Sequence, residues 1–306
     1  MKIGVIGLGV VGSAVKFGFE SLGHEVYTHD IKLNTEIDNI LDTEICYVCV
    51  PTPINDNGSC NINIVEHVIE ELYQINYSGI IAIKSTVVPG TTEKLKDKYK
   101  NQKICFVPEF LRERCAIPDF CENHDLLVIG TEDKDSFNKI KKSHGKYPKK
   151  IIQLSCTEAE LSKYFNNIYN ANLIIFANSF YEICKSMGIN YSNVKDAVVN
   201  RKNISDVYLD CNENLRGFGG MCLPKDLLAL NSLVKKVLLT GSQGFIGSYI
   251  CNELLSNGYT VVGIDNYSKY GKLNRPHDNH NNFTFYELNV LDPSFHDIVN
   301  KEKPNI

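Results

Sequence analysis

"MKIGVIGLGVVGSAV", Met1–Val15, is the stretch that decides the fold. A short apolar run reads as a buried strand, and a glycine-rich turn leads straight into a helical pattern. Gly7, Gly9 and Gly12, with Val10 and Val11 between the last two, have GxGxxG spacing. In such a turn the first glycine permits the tight bend, the second lets backbone approach a pyrophosphate, and the third allows close helix–strand packing. The phosphates would rest on the N–H groups of the helix start. Asp30 closes the next apolar run, "EVYTHD". A carboxylate there accepts hydrogen bonds from a ribose 2′-OH and favours NAD over NADP. A glycine-rich packing turn beside a surface Asp is the alternative. It leaves the register of strand, helix and acid unexplained.

Outward from this turn, "ICYVCV", "GIIAIKS", "KICFVPE" and "DLLVIG" alternate with polar periodic stretches such as Asn63–Gln74. Strands alternating with helices imply βαβ units. The expected fold class is therefore α/β, with a doubly wound, Rossmann-like parallel sheet over residues 1–152. From about Thr157 to Met187 the pattern becomes one long helix. Thr157 with Glu160 fits a capping box, and Gly188 fits the stop. A central helical domain is expected over 153–234. At Lys235 the strand pattern restarts in "KKVLLTGSQGFIGSYI", where Gly241, Gly244 and Gly247 form a second glycine turn. Asp265 ends the strand that follows. This reads as a partial second Rossmann βαβ unit over 235–306.

The chain has 306 residues, 43% hydrophobic and 22% charged, with formal net charge −4. That balance offers no global basic field for nucleic acid or an anionic membrane. No apolar run approaches the roughly 20 residues needed to span a bilayer. A cytoplasmic protein is expected. The eleven cysteines follow no framework spacing, so they read as free thiols. Cys46 and Cys49 form a CxxC inside an apolar strand, which argues packing rather than redox chemistry. No Cys/His grouping has zinc-ligand spacing, and no metal is expected.

Chemistry is expected at the carboxyl edge of the sheet. "KSTVVPGTT" brings hydroxyls there. "VPEFLRERCAIPD" brings Glu109 and Glu113, which also suit a solvated helix start. Lys163 and Asn167 lie four apart, on one helix face. In "RGFGGMCLPKD", Gly217, Gly219 and Gly220 allow close approach to a ligand, and Cys222 precedes a probable helix start. A thiol so placed, near Lys225, would have a lowered pKa. Asp226 follows four residues later and could act as a base. A buried structural cysteine is the bland alternative. With NAD, a thiolate can trap an aldehyde as a thiohemiacetal; hydride loss then gives a thioester, and water releases an acid.

Six segments carry a resemblance: GLGVVG (Gly7–Gly12), CVPTP (Cys49–Pro53), KSTVVPG (Lys84–Gly90), PEFLRE (Pro108–Glu113), AELSKYFNN (Ala159–Asn167) and GFGGMCLPKD (Gly217–Asp226). Over residues 1–234 the chain resembles the UDP-glucose/GDP-mannose dehydrogenase family. The resemblance implies an NAD-dependent nucleotide-sugar 6-dehydrogenase that oxidises UDP-glucose to UDP-glucuronate in two steps. GDP-mannose or a UDP-N-acetylhexosamine are the other substrates it allows. It makes Cys222 the nucleophile, Lys163 the oxyanion stabiliser and Asn167 a substrate and oxyanion contact. Asp226 and Thr86 would hold water or move protons, and Glu109 would be a base in hydrolysis. Thr52, Thr86, Glu113, Val10 and Val11 would touch the cofactor. Glu109, Phe110, Leu111, Lys163, Asn167, Arg201 and Gly219 would touch the sugar nucleotide, Arg201 from the partner of a homodimer formed through the central helix. The sequence departs from the family at Val107, where Asn is common, at Arg114, where a small residue is usual, and in the loop before Gly217.

From residue 236 the chain resembles instead the start of the extended short-chain dehydrogenases, the NAD-dependent epimerase/dehydratase group. Asn289 stands where an Asp is usual. The dehydrogenase family's third, nucleotide-binding domain is expected to be missing, and no Tyr-x-x-x-Lys pair occurs from residue 236 onward. The tail could dock as a substitute domain or be a fused or truncated piece. Its small apolar content favours the second reading. A non-catalytic, NAD-binding fusion is the rival to the enzyme.

Overall fold

The computed structural model describes residues 1–55, 58–216, 223–233 and 236–304. Strand β1 (Lys2–Ile6) enters helix α1 (Val10–Ser21), followed by β2 (Glu25–His29), β3 (Ile45–Val48), α2 (Asn63–Gln74), β4 (Ile80–Ile83), α3 (Thr91–Lys98) and β5 (Lys103–Phe106). Next come α4 (Ala116–Cys121), β6 (Leu126–Gly130), α5 (Lys134–Ser143), β7 (Lys150–Leu154), α6 (Cys156–Ser186), α7 (Tyr191–Val199) and α8 (Leu223–Leu233). The chain ends in β8 (Lys236–Thr240), α9 (Phe245–Ser256), β9 (Thr260–Asp265), β10 (Phe283–Glu287) and α10 (Ser294–Glu302). Two compact units result: Met1–Ile54 with Cys60–Leu227, and Asn55–Ser59 with Leu228–Ile306.

The first unit holds a seven-stranded sheet in the order β2-β1-β3-β4-β5-β6-β7. Strands β1 to β5 are parallel. Strand β6 meets β5 antiparallel at one register pair, Phe106 opposite Gly130, and runs parallel to β7. This reversal is a detail that apolar runs do not encode, because strand periodicity is the same in either direction. Side chains alternate between the two faces. On β3, Ile45 and Tyr47 pack with Ala14, Phe19 and Phe120, whereas Cys46 and Val48 pack with Val65, Ile69 and Leu72. The CxxC is thus split across the sheet. Burial pushes the Cys46 thiol well up and that of Cys49 to about 12, so neither is a ready thiolate.

Helix α6 runs for 31 residues, about 46 Å at 1.5 Å per residue. Its capping box is Ser155 with Glu158, two residues before the expected Thr157 and Glu160. The choice follows burial: Glu160 is fully buried and engaged elsewhere, so it cannot fold back on its own helix. Gly188, at φ +68°, follows the helix as expected. Gly130 is where α6 begins its run along the sheet. A Cβ there would lie 2.8 Å from the Ala159 Cβ.

The second unit is a three-stranded parallel sheet, β10-β9-β8. Its core gathers Cys251, Leu255 and Val261. The opposite side of α9 leaves Phe245, Ile246 and Tyr249 exposed. Among the described residues, all cysteines are free thiols and no helix is long and apolar enough to cross a membrane.

Candidate active site

The first glycine turn sits at the switch in strand order between β1 and β3, where doubly wound sheets open a crevice. Gly7 has φ +87°, and a Cβ on it would lie 2.8 Å from the Cys49 carbonyl oxygen. A Cβ on Gly12 would lie 1.8 Å from the Gly7 carbonyl oxygen. Both positions therefore exclude side chains. Gly9 differs, since nothing lies within 4 Å of its Cβ position. It caps α1 without a side-chain hydrogen bond, and the first turn of α1 carries no acid. The N–H groups there suit a pyrophosphate. Asp30 accepts from the Leu8 N–H at 2.6 Å and the Lys32 N–H at 2.8 Å. These bonds hold its carboxyl below the usual range, so it stays an anion able to accept ribose hydroxyls. The turn therefore fits a dinucleotide with a free 2′-OH.

The edge beyond β4 and β5 gathers the acids and the long helix. Lys163 is buried, and its Nζ donates to the Glu109 carbonyl at 2.6 Å and to Glu109 Oε1 at 2.8 Å. The other oxygen, Oε2, accepts from the Leu111 N–H. One turn along α6, the Asn167 amide donates to Asp226 Oδ2 at 2.6 Å, and Lys225 donates to Oδ1 at 2.7 Å. Asp226 is fully buried. Two carboxylates from distant segments are thus held by one helix face. The Phe110 ring lies under the Lys163 ammonium. A cavity of about 390 Å³ opens beside Glu109, Phe110 and Leu111, with Lys84, Asn166 and Tyr208 on its walls.

Other expected residues stand apart from this pairing. Thr52 is buried, and Thr86 offers its carbonyl to the Cys60 thiol at 3.6 Å. Glu113 is exposed at the start of a short 3-10 turn, and Arg201 is exposed just past α7. Arg114 is exposed, whereas Val107 is fully buried. Gly217, Gly219, Gly220 and Cys222 lie outside the described residues.

Three residues carry no site role in the sequence reading, Glu160 being expected only as a cap of its own helix. The Glu160 carboxylate accepts from the Gly90 N–H, the Thr92 N–H and the Thr92 hydroxyl, and so caps α3 from another helix. A carboxylate beside a strand-turn threonine pair is no signal until the fold joins them. Lys84 is buried; its Nζ donates to the Val107 carbonyl at 3.3 Å, and burial lowers its pKa to about 8. Tyr164 lies on the same helix face as Asn167 and is buried. The periodicity of α6 does signal that face.

The second glycine turn repeats the first. Gly241 has φ +71°, and a Cβ on Gly247 would lie 1.9 Å from the Gly241 carbonyl oxygen. Gly244 caps α9 with no side-chain hydrogen bond. Asp265 accepts from the Gln243 N–H at 3.0 Å and the Tyr267 N–H at 2.8 Å. A cleft of about 290 Å³ lies over it, lined by Gly241, Asp265 and Asn289 among others.

Comparison with known proteins settles the family. Residues 31–147 match the UDP-glucose/GDP-mannose dehydrogenase family, NAD binding domain, and residues 157–243 match that family's central domain. The chain belongs to the UDP-glucose/GDP-mannose dehydrogenase family. Residues 237–306 match the NAD dependent epimerase/dehydratase family. The chain is 33% identical over 228 residues to the UDP-glucose 6-dehydrogenase of Rickettsia bellii, covering 72% of this chain and 51% of that protein. It is 29% identical over 281 residues to the GDP-mannose 6-dehydrogenase of Pseudomonas syringae pv. tomato, covering 75% and 63%. The chain spans about half the length of the curated relatives it matches. A solved UDP-glucose dehydrogenase from Pyrobaculum islandicum superposes with TM-score 0.69 at 23% identity, covering 96% of this chain and 87% of that one, which establishes the shared fold. In this family the N-terminal sheet is an NAD-binding domain, and the enzymes are NAD-dependent oxidoreductases.

Proposed function

We propose that the chain acts as an NAD-dependent nucleotide-sugar 6-dehydrogenase, with UDP-glucose the first substrate to test and GDP-mannose the second. Relatives of both names match at similar identity. The observation that carries the reading is the face of α6. There two buried polar side chains, Lys163 and Asn167, each hold a carboxylate, in the same unit as the glycine turn and Asp30.

Bound NAD would accept the hydride in each of two oxidations. The turn from Gly7 to Gly12, with Val10 and Val11, would hold its phosphates and Asp30 its ribose, with Thr52, Thr86 and Glu113 as further contacts. Cys222 would add to the aldehyde carbon as a thiolate and carry the acyl group after the second oxidation. Lys163, which is buried, would stand beside the reacting oxygen, where a preorganised donor needs no solvent rearrangement. The Asn167 amide would orient the substrate. Asp226, with Thr86, would take a proton from water, and Glu109 would serve as the second base. Phe110, Leu111 and Gly219 would line the sugar. Arg201, exposed on its own subunit, would reach a partner's site.

A homodimer through α6 is part of the proposal. Leu161, Phe165, Tyr169, Phe176, Phe180, Ile183 and Met187 form an exposed stripe at three-, four- and seven-residue steps. The test of the function is NADH formation with UDP-glucose, two per sugar consumed. A Cys222→Ser variant that kept full turnover would overturn the mechanism.

A further inference from the structure

Lys84 directly follows β4 and lies on the wall of the cavity of about 390 Å³ beside Glu109. It is 3% exposed. Among the described residues its ammonium makes one hydrogen bond, to the Val107 carbonyl at 3.3 Å, and has no carboxylate within ion-pair distance. The Tyr47 ring, with its centroid 5.7 Å away, is a weak substitute for an anion. A buried charge without a counter-ion is costly, and two of the three ammonium N–H groups are left to be used. The other buried charges on these walls are already matched. Glu109 pairs with Lys163, and Asp119 accepts two bonds from the Arg112 side chain, at 2.9 and 2.6 Å. Burial holds His124 at about 4, so it is neutral, and Asp125 is exposed. Phe110, Phe120 and Leu126 supply apolar wall, and Asn123, Asn166 and Asn170 supply amides. Lys163, Asn167 and Asp226 are not on these walls. A cavity of about 150 Å³ already holds benzene, so this one has room for a ring or a short chain.

We propose that this cavity is a binding site for a small carboxylate, with the carboxyl group on Lys84 and the apolar body against Phe110, Phe120 and Leu126. A monoanion fits better than a phosphate. One negative charge matches Lys84, whereas a second would stand unmatched beside Glu109 and Asp119. The inference does not rest on the dehydrogenase reading, and only the Glu109–Leu111 segment borders both sites.

The groups facing Lys84 give the site a pH signature. Tyr47 and Cys49 are pushed up by burial, Cys49 to about 12. Burial holds His124 at about 4 and His144 well below 6.5. Glu109 and Lys163 hold each other. Burial lowers Lys84 itself to about 8. A bound carboxylate favours the charged ammonium, so binding takes up a proton above pH 8 and weakens as pH rises.

The experiment is isothermal titration calorimetry of the full chain with benzoate, acetate and inorganic phosphate, repeated on Lys84→Met. On the original chain benzoate saturates a single site, roughly tenfold or more tighter than acetate or phosphate. Its affinity falls about tenfold from pH 7 to pH 9, and heats in two buffers show proton uptake at pH 9. Lys84→Met loses roughly tenfold or more in benzoate affinity. Its Tm stays the same or rises, because an unpaired buried charge has been removed. No saturable heat with benzoate overturns the inference. So does phosphate binding as tightly as benzoate, an affinity that ignores pH, or full affinity in Lys84→Met. Displacement of benzoate by UDP-glucose would assign the cavity to the sugar nucleotide and overturn a separate site. If Lys84→Met does not fold, the pH series on the original chain decides. A chain that binds benzoate in this way but neither NAD nor UDP-glucose defeats the dehydrogenase reading and leaves the carboxylate site standing.

Discussion

The two glycine turns of this chain are built alike and supported differently. In each, the first glycine has positive φ, the third lies against the first one's carbonyl, and an Asp closing the next strand holds the turn by a backbone N–H. Around the first, seven strands carry packed cores on both faces. Around the second there are three strands and a small core. The middle glycines also differ: the Gly9 Cβ position is open, whereas that of Gly244 lies 3.1 Å from the Gly241 carbonyl oxygen. Arg275 adds two hydrogen bonds to the Gln243 carbonyl in the second turn, which the first turn lacks among the described residues. A turn's shape is thus local, while its stability depends on the layers beneath it.

The sharpest way to break the comparison is Gly12→Ala against Gly9→Ala. At Gly12 the new methyl meets backbone at 1.8 Å, so the turn must open. Overpacking of this kind costs roughly 1–3 kcal/mol or more, and NAD affinity should fall at least 100-fold in a fluorescence titration. At Gly9, with φ −68° and open space, stability should change by under about 0.5 kcal/mol while NAD binding still weakens. Equal losses of stability at both sites would refute the assignment of one glycine to packing and the other to ligand approach.

Lys163→Ala comes next. Removing one partner of a buried ion pair costs about 3–5 kcal/mol, because Glu109 is left as an uncompensated buried charge. Urea melts should show this, and turnover should be lost. The pair belongs to the first unit, so protection of 236–304 from protease should not change.

Gly247→Ala tests the other side. Its methyl meets backbone at 1.9 Å, and the three-stranded unit has little core to absorb the strain. Limited proteolysis should cut within 236–304 while fragments of residues 1–216 persist. Simultaneous loss of both regions would mean that the two turns share one cooperative unit.

The mildest test uses pH. Burial holds His144 well below its ordinary pKa of 6.5 and His124 at about 4. The folded chain therefore binds fewer protons than the unfolded chain between about pH 6.5 and 4. Stability from this source is present above pH 6.5 and lost as pH falls, at up to about 1.4 kcal/mol per pH unit for each group. His144→Phe should shallow that slope in urea melts at pH 7 and 5. An unchanged slope would place the acid sensitivity elsewhere.

Much of this was legible in the sequence. The glycine spacings, the closing aspartates and the long helix announce themselves within about thirty residues. Lys163 and Asn167 could be placed on one face by counting alone. What each of them holds could not. The spacing alone points to a capping box two residues late, because Thr157 and Glu160 satisfy it as well as Ser155 and Glu158 do, and only burial separates them. The reversal of β6 was invisible because an apolar run has no direction.

The sequence by itself determined the turns, the helix boundaries near Gly188 and the family, since these depend on neighbours within a few bonds of one another. The tertiary structure alone decided that Glu109 meets Lys163, that Asn167 meets Asp226 and that Glu160 caps α3. Those partners lie 54 to 70 residues apart. Closing such loops costs entropy that only the assembled sheet repays, so no local pattern can record them.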